Sequence, residues 1–161
     1  IKRKTFKIFF DLSKKNLPFL FLIIIIYLQI ILGAFVSGLD AGKIYQTWPM
    51  MGYSYFPNDF VLENFRNFFN FDNHSLMQFY HRNLAYLITV YIFCLYLNIY
   101  KKKIKRLYKP LKLVLFSLLL QITLGIFTLV SGLDIYLASA HQISSVILVF
   151  STINLYYFRA K

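Results

Sequence analysis

The stretch LQIILGAFVSGLDAG, Leu28 to Gly42, is written a second time as LQITLGIFTLVSGLD, Leu120 to Asp134. Leu-Gln-Ile-x-Leu-Gly-x-Phe matches without a gap, and Val-Ser-Gly-Leu-Asp follows once Thr128 and Leu129 are allowed as extra residues in the second copy. A further apolar run follows each copy, MQFYHRNLAY in one case and LASAHQISSV in the other, and aligning these sets His81 against His141. The chain therefore reads as one unit used twice: a helix, an outer connection and a histidine-bearing helix. Duplicated helix pairs commonly pack about a pseudo-two-fold axis and build their site where the repeats meet.

Composition places this unit in a membrane. Of 161 residues, 58% are hydrophobic and 20% aromatic, and 18 Lys+Arg against 6 Asp+Glu give a formal net charge of +12. Four stretches, about 18–39, 76–100, 111–133 and 137–158, reach the roughly 20 residues a helix needs to cross a hydrocarbon core. In lipid a helix satisfies its own backbone. The expected fold is an all-α integral membrane bundle of four transmembrane helices, made of two repeated helix pairs. Pro18 suits the first turn of its helix, where a missing N–H costs nothing.

Fifteen of the eighteen cations fall in the first fifteen residues, between Lys101 and Lys112, and at Arg159 and Lys161. The positive-inside rule puts these segments, and both termini, in the cytoplasm or matrix. Residues 1–17 then form a basic cytoplasmic arm or a linker between two halves, and 18–161 the membrane domain. The long outer connection, 40–75, carries Asp40, Asp59, Glu63 and Asp72, and the short one Asp134. Cations grouped at the ends of apolar runs do not line a nucleic-acid groove. Cys94 is the only cysteine, so no disulfide or thiolate metal site forms within one chain, and it reads as a small packing residue. A start at Ile1, with no cleavable signal in Lys2 to Lys15, reads as a fragment of a longer protein.

His81 and His141 fall about five and four residues inside their helices, roughly 6 to 8 Å deep at 1.5 Å per residue. Two imidazoles at one depth on equivalent helices suit the two faces of one haem iron. Ionisable residues inside membranes default to functional candidates. Small residues supply room for a flat ligand: Gln29, Gly33 and Ser37 on the first helix, and Gln121, Gly125 and Thr128 on the third. Ala138, Ser144 and Ser145 flank His141; Gln78, Leu84 and Ala85 flank His81. Such stripes also serve ordinary helix packing, so a haem-free scaffold stays open as a reading. Arg82 either pairs with a haem propionate or snorkels to lipid phosphate. His74, without a counterpart in the repeat, reads as a solvated loop residue, and TWPMMGYSYFP, Thr47 to Pro57, as an aromatic segment at the outer interface or a cap on the haem edge.

LGAFVSGLDAGKIYQTWPMMG (Leu32 to Gly52), RNFF (Arg66 to Phe69), QFYHRNLAY (Gln78 to Tyr86), and LGIFTLVSGLD with AHQ (Ala140 to Gln142) resemble the C-terminal half of the haem A synthase family. That resemblance implies an oxidoreductase of haem biosynthesis, an eight-helix protein of two similar halves that oxidises the haem O methyl group to the formyl group of haem A for cytochrome oxidase. It implies haem b, with its iron, as cofactor and His81 and His141 as the axial ligands. Gln78, Arg82, Gly33 and Gly125 are expected around it. The substrate half carries a glutamate three residues before its first histidine; here that position is Gln78, which leaves no catalytic residue identified in this chain. The paired loop cysteines of some members are absent.

Expected partners are the lipid bilayer, haem O held by an N-terminal half or a partner subunit, haem O synthase, and cytochrome oxidase assembly factors. A second copy is expected if four helices suffice alone. Nucleic acid is not among them. Abundant Lys, Ile, Asn, Tyr and Phe point to a bacterial inner membrane rather than a mitochondrial one. A bis-histidine cytochrome b-like electron carrier without substrate chemistry is the alternative function.

Overall fold

Helix α1, Leu17–Gly38, starts with Pro18 in its first turn, where the ring's fixed φ already matches a helix. The computed structural model describes residues 12–59 and 65–161. Most of the expected basic arm, and Glu63 of the outer connection, lie outside the described residues. Helix α2 is His74–Lys101, α3 Tyr108–Val130 and α4 Ile135–Ala160. All four are long and apolar enough to span a membrane, so the chain is a multi-pass membrane protein.

Polar caps decide the outer ends. The Asn73 side chain accepts from the Leu76 N–H at 2.9 Å, and Asp134 accepts from Tyr136 and Leu137 at 3.0 Å each. Each oxygen satisfies donors that the first turn leaves unpaired. Asn73 therefore starts α2 at His74, so His74 is an exposed first helical residue, not the loop residue expected from hydropathy. Likewise α3 stops at Val130 rather than 133. Gly132 (φ 75°) and Leu133 (φ 67°) turn left-handed, and the Leu133 N–H returns to Thr128 O at 2.9 Å. That is the bond of a Schellman stop. The first copy of the phrase lacks the two extra residues, and there Ser37 and Gly38 remain inside the helix.

The helices form a ring. α3 packs on α4 and α1 on α2; α1 also touches α4, and α2 touches α3. The histidine-bearing helices α2 and α4 therefore stand on a diagonal. Ser117 and Ser151 hydroxyls meet at 2.9 Å in the buried α3–α4 seam, where small side chains let the backbones approach. The continuous apolar core occupies the basic end: Leu22 and Ile26 of α1, Ile92 and Ile99 of α2, Leu111 of α3 and Leu155 of α4 are buried there. Toward the outer end this core stops. Cys94 is exposed on α2, facing outward rather than packing inside as expected.

Candidate functional site

The outer half of the bundle, where the apolar core ends, holds both histidines. His81 lies seven residues into α2 and His141 six into α4, about 10 and 9 Å from the helix starts at 1.5 Å per residue. Both are slightly deeper than expected, because both helices begin earlier.

The repeated phrase builds a seat for each ring. Gln29 Nε2 donates to the His81 main-chain carbonyl at 3.0 Å, and Gln121 Nε2 to the His141 carbonyl at 2.9 Å. One helical turn further on stands glycine. A Cβ on Gly33 would sit 3.1 Å from His81 Cε1, and one on Gly125 3.0 Å from His141 Cε1, both tighter than ordinary contacts. Among the described residues no group of three His, Cys, Asp or Glu side chains converges.

The outer connection is folded over this end. It contains a 3-10 turn at Ala41–Lys43 and a bridge between Met51 and Ser54, with a second 3-10 turn at Phe65–Phe69. Arg82 grips it from α2. Its Nη1 donates to the Thr47 carbonyl at 2.9 Å and the Met50 carbonyl at 3.2 Å, and its Nη2 to Tyr45 O at 2.9 Å. Buried Gln78, one turn before, donates to the same Tyr45 carbonyl at 2.8 Å. Neither residue is placed by the sequence as a loop clamp. On the far side Leu133 packs on Gly42, so close that a Cβ at Gly42 would lie 2.8 Å from Leu133 Cδ2, and the Gln46 side chain approaches Gly132. Segment 41–51 thus reaches from α2 to the α3–α4 turn across the mouth of the bundle.

Asp59 fastens the segment's other end. It accepts from the Tyr45 hydroxyl at 2.7 Å and from the Ser75 hydroxyl at 2.5 Å. Burial opposes its ionisation, but the bonds from Ser75 and Tyr45 prevail and hold its carboxyl below the usual range. Burial, then the bond to Asp59, push the Tyr45 phenol up.

Several buried polar atoms of the outer half have no hydrogen-bond partner: His141 Nδ1, Tyr86 OH, Thr128 Oγ1, Gln29 Oε1, Gln78 Oε1 and Arg82 Nε. Buried polar atoms are normally paired, and each exception calls for an explanation. A ligand with a flat apolar body and a polar edge meets the conditions here: two imidazoles, glycines where side chains would collide with the rings, and an arginine with an unused donor. Among the residues expected at the site, Gln78, Arg82, Gly33, Gly125 and the two histidines gather at this end, while Ser37 is exposed. Tyr86 was not singled out by sequence; its phenol inside an apolar run was the readable signal. Tyr45, the hub of the loop, left none, because its main-chain oxygen does half the work.

Residues 10–153 match the family model described as cytochrome oxidase assembly protein, COX15-CtaA. A protein of Pelagibacter ubique named heme A synthase is 43% identical over 145 residues, covering 88% of this chain and 42% of its own length. Proteins of the same name from Rickettsia felis (37% identical, covering 83% of this chain and 40% of theirs) and Wolbachia pipientis (39%, covering 82% and 36%) also match. The chain spans about two fifths of the length of these relatives. No solved structure matches it significantly. With the family model covering most of its length, the chain belongs to the cytochrome oxidase assembly protein family whose members include the heme A synthases.

Proposed function

We propose that this chain is the haem b-binding, C-terminal half of a haem A synthase and supports oxidation of the haem O methyl group to the formyl group of haem A. The observation that carries the reading is the twice-built seat: a glutamine tied to a histidine main chain, and a glycine against the same imidazole, once in each half of the repeat. His81 and His141 would hold the iron through neutral imidazole nitrogens. When bound, the cofactor supplies one-electron redox chemistry. The chain's own residues do the rest. Gln29 and Gln121 fix the height of each histidine, Gly33 and Gly125 leave space at each ring, and segment 41–51 shields the outer mouth from water. The unused Arg82 Nε–H, beside His81 in sequence, is available to a propionate.

Gln78 supports the cofactor role over the substrate role, since its amide is committed to the Tyr45 carbonyl and carries no charge. The substrate haem O would then occupy a second four-helix unit, in the same longer chain or a partner subunit. The bacterial inner membrane, a supply from haem O synthase and hand-over to cytochrome oxidase assembly factors belong to the same proposal.

The test is the reduced-minus-oxidised visible spectrum of the detergent-purified chain, compared with His81→Ala and His141→Ala. A low-spin b-type spectrum in the parent, lost or turned high-spin in each variant, is the expected result. A parent that takes up no haem, alone or co-expressed with the N-terminal half of a relative, overturns it. Bound haem without haem O conversion by the complete protein would favour the electron-carrier function instead.

A further inference from the structure

Two guanidinium groups are tied into one corner of the basic end. The 3-10 turn Lys105–Leu107, between α2 and α3, is anchored by fully buried Leu107 and by Ile104, which packs on the apolar cluster. Arg106 stands exposed between these anchors, and its Nη2 donates to the Arg159 carbonyl in the last turn of α4 at 3.3 Å. Arg159 in turn donates from Nε to the Lys15 carbonyl, just ahead of α1, at 3.2 Å, and its guanidinium carbon lies 5.8 Å from the centre of the Phe19 ring. Three remote parts of the sequence thus bring two permanent positive charges to adjoining places, and the oxygens that receive them are neutral.

Nothing of opposite sign answers these charges among the described residues. Asp40, Asp59, Asp72 and Asp134 all belong to the outer connections or their borders, where Lys43 pairs with Asp40 at 3.0 Å. Seven of the 18 Lys+Arg fall between Lys101 and Lys112, so the surroundings of Arg106 add positive charge rather than offset it. Like charges held close repel, and an anion shared between them removes the repulsion. A guanidinium carries five N–H donors in a fork that fits phosphate oxygens. The bonds above use one donor of each arginine. Leu17 and Phe21 on the first two turns of α1, and Tyr157 and Phe158 at the end of α4, are exposed beside the corner. Cations at the ends of membrane spans, with exposed apolar side chains next to them, match a molecule with a phosphate head and hydrocarbon tails. We propose that Arg106 and Arg159 form a binding site for an anionic phospholipid, whose phosphate both guanidinium groups hold and whose acyl chains lie along α1 and α4. Basic pockets between membrane helices take such head groups. The site is independent of haem and of the function proposed above.

Native mass spectrometry of the detergent-purified chain, titrated with phosphatidylglycerol, cardiolipin or phosphatidylcholine, reads this site. The two anionic lipids should stay bound where phosphatidylcholine does not. Arg106→Gln should weaken their retention about tenfold, as the loss of a charge-assisted hydrogen bond does. Lys102→Gln removes an equal charge beside the end of α2, diagonal to α4, and should change retention less than twofold. Arg159→Gln should match Arg106→Gln. Should loss of the Arg159 bonds unfold the corner, Arg106→Gln still decides, because Ile104 and Leu107 hold its turn in place. A parent that retains no anionic lipid, or retains phosphatidylcholine equally, overturns the proposal. Equal losses from Lys102→Gln and Arg106→Gln also overturn it, since the attraction would then belong to the whole basic surface. Complete displacement of the lipid by inorganic phosphate would overturn it too, by making a free anion the occupant.

Discussion

A glycine against each imidazole separates the needs of the helix from those of the site. Gly33→Ala and Gly125→Ala should each stabilise their helix by up to about 1 kcal/mol from propensity, yet push the adjacent ring by tenths of an ångström. The expected outcome is unchanged or higher thermal stability of the haem-free chain with haem retention lowered about tenfold, measured by circular dichroism and by haem transfer to apomyoglobin. Asp59 gives a second expectation. Its folded carboxyl titrates below the unfolded one, so the clasp to Tyr45 and Ser75 is fully present above about pH 4 and lost as pH falls through the lowered value. Protease cleavage within 45–59 should rise in that acid window, and Asp59→Asn should show the same cleavage at neutral pH. The histidines and their glycines were legible because duplication marks positions that matter twice. Gln29 was legible only as part of a small-residue stripe; its bond to the His81 carbonyl is visible only once the helices are paired.

Helix ends carry the next set of expectations. Lys103 occupies the left-handed position (φ 51°) that closes α2, with the Ile104 N–H returning to Ile99 O at 3.1 Å. Glycine is the usual occupant, because a Cβ there costs about 1 to 2 kcal/mol. Lys103→Gly should therefore stabilise the chain by about 1 kcal/mol after the greater unfolded-state freedom of glycine is deducted, read as a shifted midpoint of unfolding in mixed micelles. The four spans were plain from hydropathy, but their ends were not. Asn73 and Asp134 add polar first turns that an apolar window discards, and this moved His74 from loop to helix. Cys94 was misplaced for a related reason: in lipid both faces of a helix are apolar, so composition does not tell inward from outward. The outer connection was unreadable because Arg82 and Gln78 hold it by main-chain oxygens, which every residue type supplies.

Across the whole molecule, the continuous apolar cluster and the two histidines occupy opposite ends. The buried apolar core lies at the basic end, and the histidines, with their unpartnered polar neighbours, at the other. Backbone amides of 29–37 and 121–129 should therefore exchange with deuterium sooner than those of 19–26 and 92–99 in the haem-free chain. Added haem should slow the first group selectively and raise the unfolding temperature with its concentration, as any ligand of the folded state does. Equal exchange at both ends would contradict this division.

The division also bears on the order of manufacture. Because side chains of all four helices meet in the apolar cluster at the basic end, helix assembly in the bilayer can proceed from the polypeptide alone. On the function proposed above, loading the histidine end then becomes a separate, later event that the supply of haem controls.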